Sequence, residues 1–241
     1  AGFAGNNPNR WPNERRYRIV TIPWLDWASL MIRWLHLVAG IAWIGTSFYF
    51  IWLDQSLRVR ASLAKGVAGE SWSVHGGGFY HVQKYAVAPE VMPTELHWFK
   101  YEAYFTWLSG FALLVVTYYF SASSYLIDPG RADLAPITAI GASLAFIIGS
   151  WLIYEALCRC PIGRSTLALA LSVFALIIVS AYLLTQIFSD RAAFLHVGAL
   201  IGTIMSANVF VVIIPNQKKV VADLVAGNTP DPALGAQAKQ R

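Results

Sequence analysis

Residues 34–53 read WLHLVAGIAWIGTSFYFIWL, 20 positions without an Asp, Glu, Lys or Arg. A bilayer core about 30 Å thick is crossed by roughly 20 apolar helical residues. The stretch is long enough to cross, and it decides the fold class, because in lipid the backbone must satisfy its own hydrogen bonds. Four more charge-free stretches follow, at 103–127, 134–154, 165–189 and 192–217. A lipid-spanning barrel needs alternating pieces of about ten residues, and these stretches do not alternate. The sequence therefore predicts an all-α, polytopic integral membrane helical bundle with five spans, at about 31–53, 101–124, 134–157, 165–188 and 192–215.

Around the spans, residues 1–30 read as an N-terminal extension, 54–98 as one long loop rich in Gly, His and Pro, 31–217 as the membrane domain and 218–241 as a polar tail. The extension has no apolar run followed by a small-residue cleavage site, so it does not read as a cleaved leader. Composition agrees with a membrane chain. In 241 residues, 56% are hydrophobic and 13% charged, against roughly 25% charged in an average soluble domain. Ten Trp and eleven Tyr suit the headgroup region. The net charge of +5 sits in the gaps between apolar runs, where lipid headgroups account for it better than a nucleic acid does. The short basic connections favour an outside N-terminus, although Arg10, Arg15, Arg16 and Arg18 count against it.

Cys158 and Cys160 stand in a C-R-C-P order, which is neither a CxxC redox pair nor the CxxCH of a covalently attached haem. No hydrolase, zinc-protease or nucleotide-binding fingerprint is present. Chemistry then rests on five histidines. On the first span His36, Gly40, Trp43 and Ser47 share one helical face, and Leu37, Ile41, Ile44, Phe48 and Ile51 share the opposite one. The aliphatic face suits lipid, and the other faces the bundle. An imidazole two turns inside the hydrocarbon is paired with a neighbouring helix or ligates a metal. His196 begins the fifth span, on the same side of the membrane as His36, beside a Gly198–Gly202–Ser206 ridge that permits close helix packing. Two imidazoles facing across a bundle can hold the iron of haem b, so His36 and His196 are the candidate axial pair, with His97 in reserve. In the long loop, His75 and His81 flank Gly76, Gly77, Gly78 and Tyr80. Backbone N–H groups of such a run can cradle an anion, and Gly-rich turns also occur without any ligand.

Several stretches together carry a resemblance: IRWLHLVAGIAWIGTSFYFIWLD (32–54), VHGGGFYHVQKY (74–85), LHWFKYEAYFTWLSGF (96–111), RAAFLHVGALIGTIMSANVF (191–210) and IIPNQKK (213–219). In these stretches the chain resembles the bacterial membrane-bound urate hydroxylases, from about Ile32 to Arg241. The resemblance implies a membrane domain of about eight helices followed by a c-type cytochrome domain. It also implies oxidation of urate to 5-hydroxyisourate, with electrons leaving through haem to cytochrome c, in a bacterial cytoplasmic membrane. The first helix is also similar, more weakly, to membrane protoporphyrinogen oxidases, in which the corresponding histidine is associated with haem b, and to copper-resistance membrane proteins. With no CxxCH and fewer helices than the family, the chain is expected to be a fragment, or one part of an assembly that supplies the remaining helices or membrane subunits. On this basis His75, His81 and Tyr80 are expected as catalytic residues, Gly76, Gly77, Gly78 and His97 as substrate-binding residues, and His36 and His196 as haem ligands. The rival expectation is a non-catalytic haem b electron-transfer or accessory subunit of a respiratory complex.

Overall fold

The computed structural model describes residues 23–89 and 91–241. The N-terminal arginines that bear on orientation lie outside the described residues. Helix α1 runs Trp24–Ser56, so it starts before the expected boundary at 31. Its 33 residues span about 50 Å at 1.5 Å per residue. A two-stranded antiparallel sheet follows, β1 (Val67–His75) and β2 (Gly78–Tyr85). Helix α2 covers Tyr101–Leu114, continues as a π-helical turn over Val115–Tyr119, and is followed by the short α3 (Ala122–Tyr125). Then come α4 (Pro136–Arg159), a 3₁₀ turn at Pro161–Arg164, α5 (Thr166–Ile187) and α6 (Asp190–Asn208). A second π turn, Val209–Ile213, leads without a break into α7 (Ile214–Val225), and α8 (Pro232–Gln240) follows.

Among the described residues four helical stretches, not five, are long and apolar enough to cross a membrane: Trp24–Ser56, Pro136–Arg159, Thr166–Ile187 and Asp190–Val225. This corrects the expected five-span, all-α bundle. The second expected span, 101–124, is apolar, but its α-helical part is 14 residues, about 21 Å. The π turn carries it on to Tyr119, and the helix breaks at Ser121. The chain is also not all-α. The long loop contains the hairpin, and its pattern was visible: residues 70–74 alternate Glu, Ser, Trp, Ser, Val ahead of a Gly-rich turn, a period-two signal. Gly76 and Gly77 have φ of 58° and 79°. Positive φ at both central residues is what a two-residue type I′ hairpin turn requires, so the glycines have a backbone role.

Why α6 sits at the centre follows from its small residues. Ala192, Ala193, His196, Leu200 and Ile204 are buried on it. The facing stripe of α4 is Ala139, Ser143, Ile147, Ser150 and Tyr154, also buried. Small side chains let two helices approach closely where lipid offers no hydrophobic driving force. Leu184 and Phe188 from the α5 end complete this core. Helix α1 packs on α2, and α2 reaches α6. Leu37, Ile41, Ile44, Phe48 and Ile51 are all exposed, as a lipid-facing stripe requires, while on the other face His36, Gly40 and Trp43 are partly covered and Ser47 is exposed. The tail read as polar is largely helical. Asn216 of α7 donates to the Leu234 carbonyl and to Gln237 of α8, and Arg241 reaches Glu155 at 2.5 Å.

Candidate functional site

The bundle face of α1 meets α2 at His36. Its Nδ1 is 2.9 Å from the Thr106 carbonyl oxygen and 3.2 Å from Ser109 Oγ. A carbonyl only accepts, so Nδ1 carries the proton and Nε2 keeps its lone pair. Gly110 makes room for the ring, because a Cβ there would lie 2.8 Å from His36 Cε1. His36 borders a cavity of about 690 Å³ between α1, α2 and α6. Binding cavities for small molecules and cofactors are typically about 300–1,000 Å³. Arg33 and Arg191 also line it, with Trp43 and Phe111 among its aromatic walls.

On the α6 side this cavity is bordered by Gly198 and Gly202. A Cβ built on either meets no atom within 4 Å. The glycine ridge thus opens space beside α6 where a packing surface was expected. Ser206, one turn on, is buried and donates to the Ala103 carbonyl across to α2. The Trp107 indole N–H donates to Thr203 Oγ1 at 3.0 Å and ties the same two helices. Tyr118 borders the cavity, is 2% exposed, and has a hydroxyl without a hydrogen-bond partner among the described residues.

His196 lies elsewhere. It is completely buried and faces α4. Its Nδ1–H donates to the Ala192 carbonyl at 2.7 Å, and its Nε2 accepts from Ser143 Oγ at 2.5 Å. Ser143 in turn accepts from the Tyr119 hydroxyl at 2.8 Å. Phe188 stacks on the ring at 5.0 Å. Both imidazole nitrogens are therefore used within the protein, and the structure does not bring His36 and His196 to one cavity.

Strand alternation separates the loop residues. Trp72 pairs with His81 and Val74 with Phe79, while Ser73 pairs with Tyr80. Side chains alternate between faces, so His81 shares a face with Trp72 and Glu70, and Tyr80 and His75 lie on the other. His81 Nε2 is 2.7 Å from the buried Glu70 carboxylate, and its ring stacks on Trp72 at 4.2 Å. Arg60 pairs with the same carboxylate at 3.3 Å. Glu70 is a residue the sequence pattern did not single out; the alternation that places it beside His81 was the available signal. The hairpin is anchored to the end of α1 by Ser56–Ser71 and Lys84–Asp54 contacts of 2.8 and 2.7 Å.

His97 stands apart from both groups. It packs edge-on to Phe99 and borders a second cavity of about 420 Å³, with Trp98, Glu102 and Gln217. Trp43 borders both cavities. No group of three or more His, Cys, Asp or Glu that could hold a bare metal ion occurs among the described residues.

The family described as urate oxidase N-terminal matches residues 23–241, and the chain belongs to that family. No curated protein and no solved structure matches it.

Proposed function

We propose that this member of the urate oxidase N-terminal family is the membrane-embedded part of a urate-oxidising enzyme of the bacterial cytoplasmic membrane. It converts urate to 5-hydroxyisourate, with electrons leaving through haem b to a cytochrome c. The single observation that carries this reading is the cavity beside His36. Its size, one imidazole with a free Nε2, the open space beside Gly198 and Gly202, and two arginines fit a flat, dicarboxylate macrocycle.

Haem b bound there would supply a one-electron carrier inside the bilayer. The protein's own residues do the holding. The Thr106 carbonyl accepts a hydrogen bond from His36 Nδ1–H, which orients the ring and raises the basicity of Nε2, the usual effect of such a partner. Arg33 and Arg191 offer charge-assisted donors to carboxylates. His36 is the residue that would hold the haem iron in this proposal. His196 joins it only if the Ser143 bond is given up, and His97 borders the other cavity. For the substrate, His75, Tyr80 and the Gly76–Gly78 backbone form one group on the hairpin, and His81, oriented by Glu70, forms another. A histidine held by a carboxylate is suited to accept protons, and urate oxidation with water releases two protons with two electrons.

The test is a reduced-minus-oxidised visible spectrum of the purified chain in lipid, with a pyridine haemochrome assay, repeated with urate as reductant. A b-type signal that urate reduces is the expected result. Absence of haem overturns the cavity assignment. Haem that ignores urate overturns the enzyme reading and leaves an electron-transfer subunit.

A further inference from the structure

The second cavity has a chemistry that the proposed reaction does not use. Four aromatic side chains, Trp43, Phe50, Trp98 and Phe99, wall it. Val209, Ile213 and Ile214, from the π turn and the start of α7, add an aliphatic side. The polar groups are His97, Glu102, Gln217, Thr46 and Ser47. The two hydroxyls have already given their protons: Thr46 donates to the Ala42 and Trp43 carbonyls, and Ser47 to the Trp43 carbonyl, at 2.9–3.0 Å. The donors left for a ligand are the Gln217 amide, the His97 imidazole and the Trp98 indole.

Charge narrows the ligand further. Glu102 is the acidic residue of the lining, and no Lys or Arg lines the cavity among the described residues. An anion would meet Glu102 without a counter-charge. An ammonium ion would suit the aromatic faces and Glu102, but it would offer no acceptor to Gln217 or His97. A flat, neutral molecule with carbonyl oxygens supplies acceptors to these donors and brings no charge to set against Glu102. Its ring lies against the aromatic walls, its carbonyls accept from Gln217 and His97, and an aliphatic tail follows Val209 and Ile213 towards lipid.

From this we infer that the cavity between α1, the segment before α2, and α7 binds the headgroup of a lipid-soluble quinone. Trp43 forms a wall of both cavities, so a quinone here is one indole away from the space beside His36. The site gives electrons a second outlet, within the bilayer. Reduction takes two electrons and two protons to make the quinol. Glu102 and His97 are the titratable groups placed to pass those protons. That redox step rests on the proposed urate oxidation for its electrons: urate, water and quinone give 5-hydroxyisourate and quinol. Binding itself does not depend on that reading.

The experiment measures equilibrium binding of a short-tailed p-benzoquinone to the full chain in lipid nanodiscs, without urate. Saturable one-to-one binding is expected. It should weaken at least tenfold in Gln217→Ala and in His97→Ala, and stay unchanged in the hairpin variant Trp72→Ala. Ile213→Trp, which fills the cavity with an apolar ring, should abolish it while circular dichroism stays that of the parent. Partition without saturation, or equal affinity in all four variants, overturns the site. Displacement of the quinone by urate assigns the cavity to the oxopurine, and displacement by tetramethylammonium assigns it to a cation; either overturns the proposal. A chain that binds the quinone but is not reduced by urate defeats the proposed function alone.

Discussion

His36 Nδ1 lies 2.9 Å from the Thr106 carbonyl oxygen, which joins α1 to α2 by a bond that leaves Nε2 of the ring free. The bond works only because Gly110, one turn beyond Thr106, carries no side chain. A Cβ there would lie 2.8 Å from His36 Cε1. Gly110→Ala must therefore rotate the imidazole. The expected outcome is at least a tenfold loss of haem content by pyridine haemochrome, with helix content unchanged by circular dichroism. Overpacking of this kind typically costs about 1–3 kcal/mol. Full haem content in Gly110→Ala would show that His36 does not hold the group.

The buried chain from Tyr119 through Ser143 to His196 has one direction, because the Ala192 carbonyl at its end only accepts. Ser143→Ala leaves His196 Nε2 and the Tyr119 hydroxyl unpaired between α2, α4 and α6. Leaving a buried polar group unsatisfied costs about 1–3 kcal/mol. A lower unfolding midpoint in detergent is expected. The double variant Ser143→Ala with Tyr119→Phe should lose less than the sum of the two single changes. Strict additivity would mean the three side chains are not one network.

Glu70 holds three things at once: the Arg58 backbone through two hydrogen bonds, Arg60 and His81 through its carboxylate. Glu70→Gln keeps the backbone pair and weakens both side-chain contacts. A loss of about 1 kcal/mol is expected, since Arg60 is largely exposed and screening reduces its share. Faster amide exchange across Val67–Tyr85, with the helices unchanged, is the readout. If urate oxidation uses His81 as a proton acceptor, the same variant lowers turnover without changing the haem spectrum.

Gly77 has a φ of 79°, which a β-branched residue adopts only with strain. Gly77→Val should disturb the hairpin turn and leave the cavity beside His36 as it is. Exchange in β1 and β2 should rise while haem content stays constant. Urate turnover that survives a disordered hairpin would remove His75, Tyr80 and the glycine run from the reaction.

Some of this protein was settled by local pattern alone. Charge-free runs long enough to cross a bilayer, and the lipid stripe from Leu37 to Ile51, follow from helical periodicity and the absence of water in the hydrocarbon. The membership of His36 in the bundle face was legible for the same reason. Other features depended on partners distant in the chain. Hydropathy counts apolar residues and does not register that the helix from Tyr101 ends at the break at Ser121, short of its expected boundary at 124. The hairpin's alternation is present in the sequence, but the Gly and His residues around it carry the pattern of an anion-binding loop as well. Nor could spacing decide what each histidine faces. His36 and His196 both sit on helices with small neighbours. Only the packing of α4, which places Ser143 2.5 Å from His196, and of α2, which leaves space beside Gly198 and Gly202, separates a histidine sealed in the core from one that borders a cavity. A face of one helix is set by its own periodicity; the content of that face is set by whichever helix packs against it.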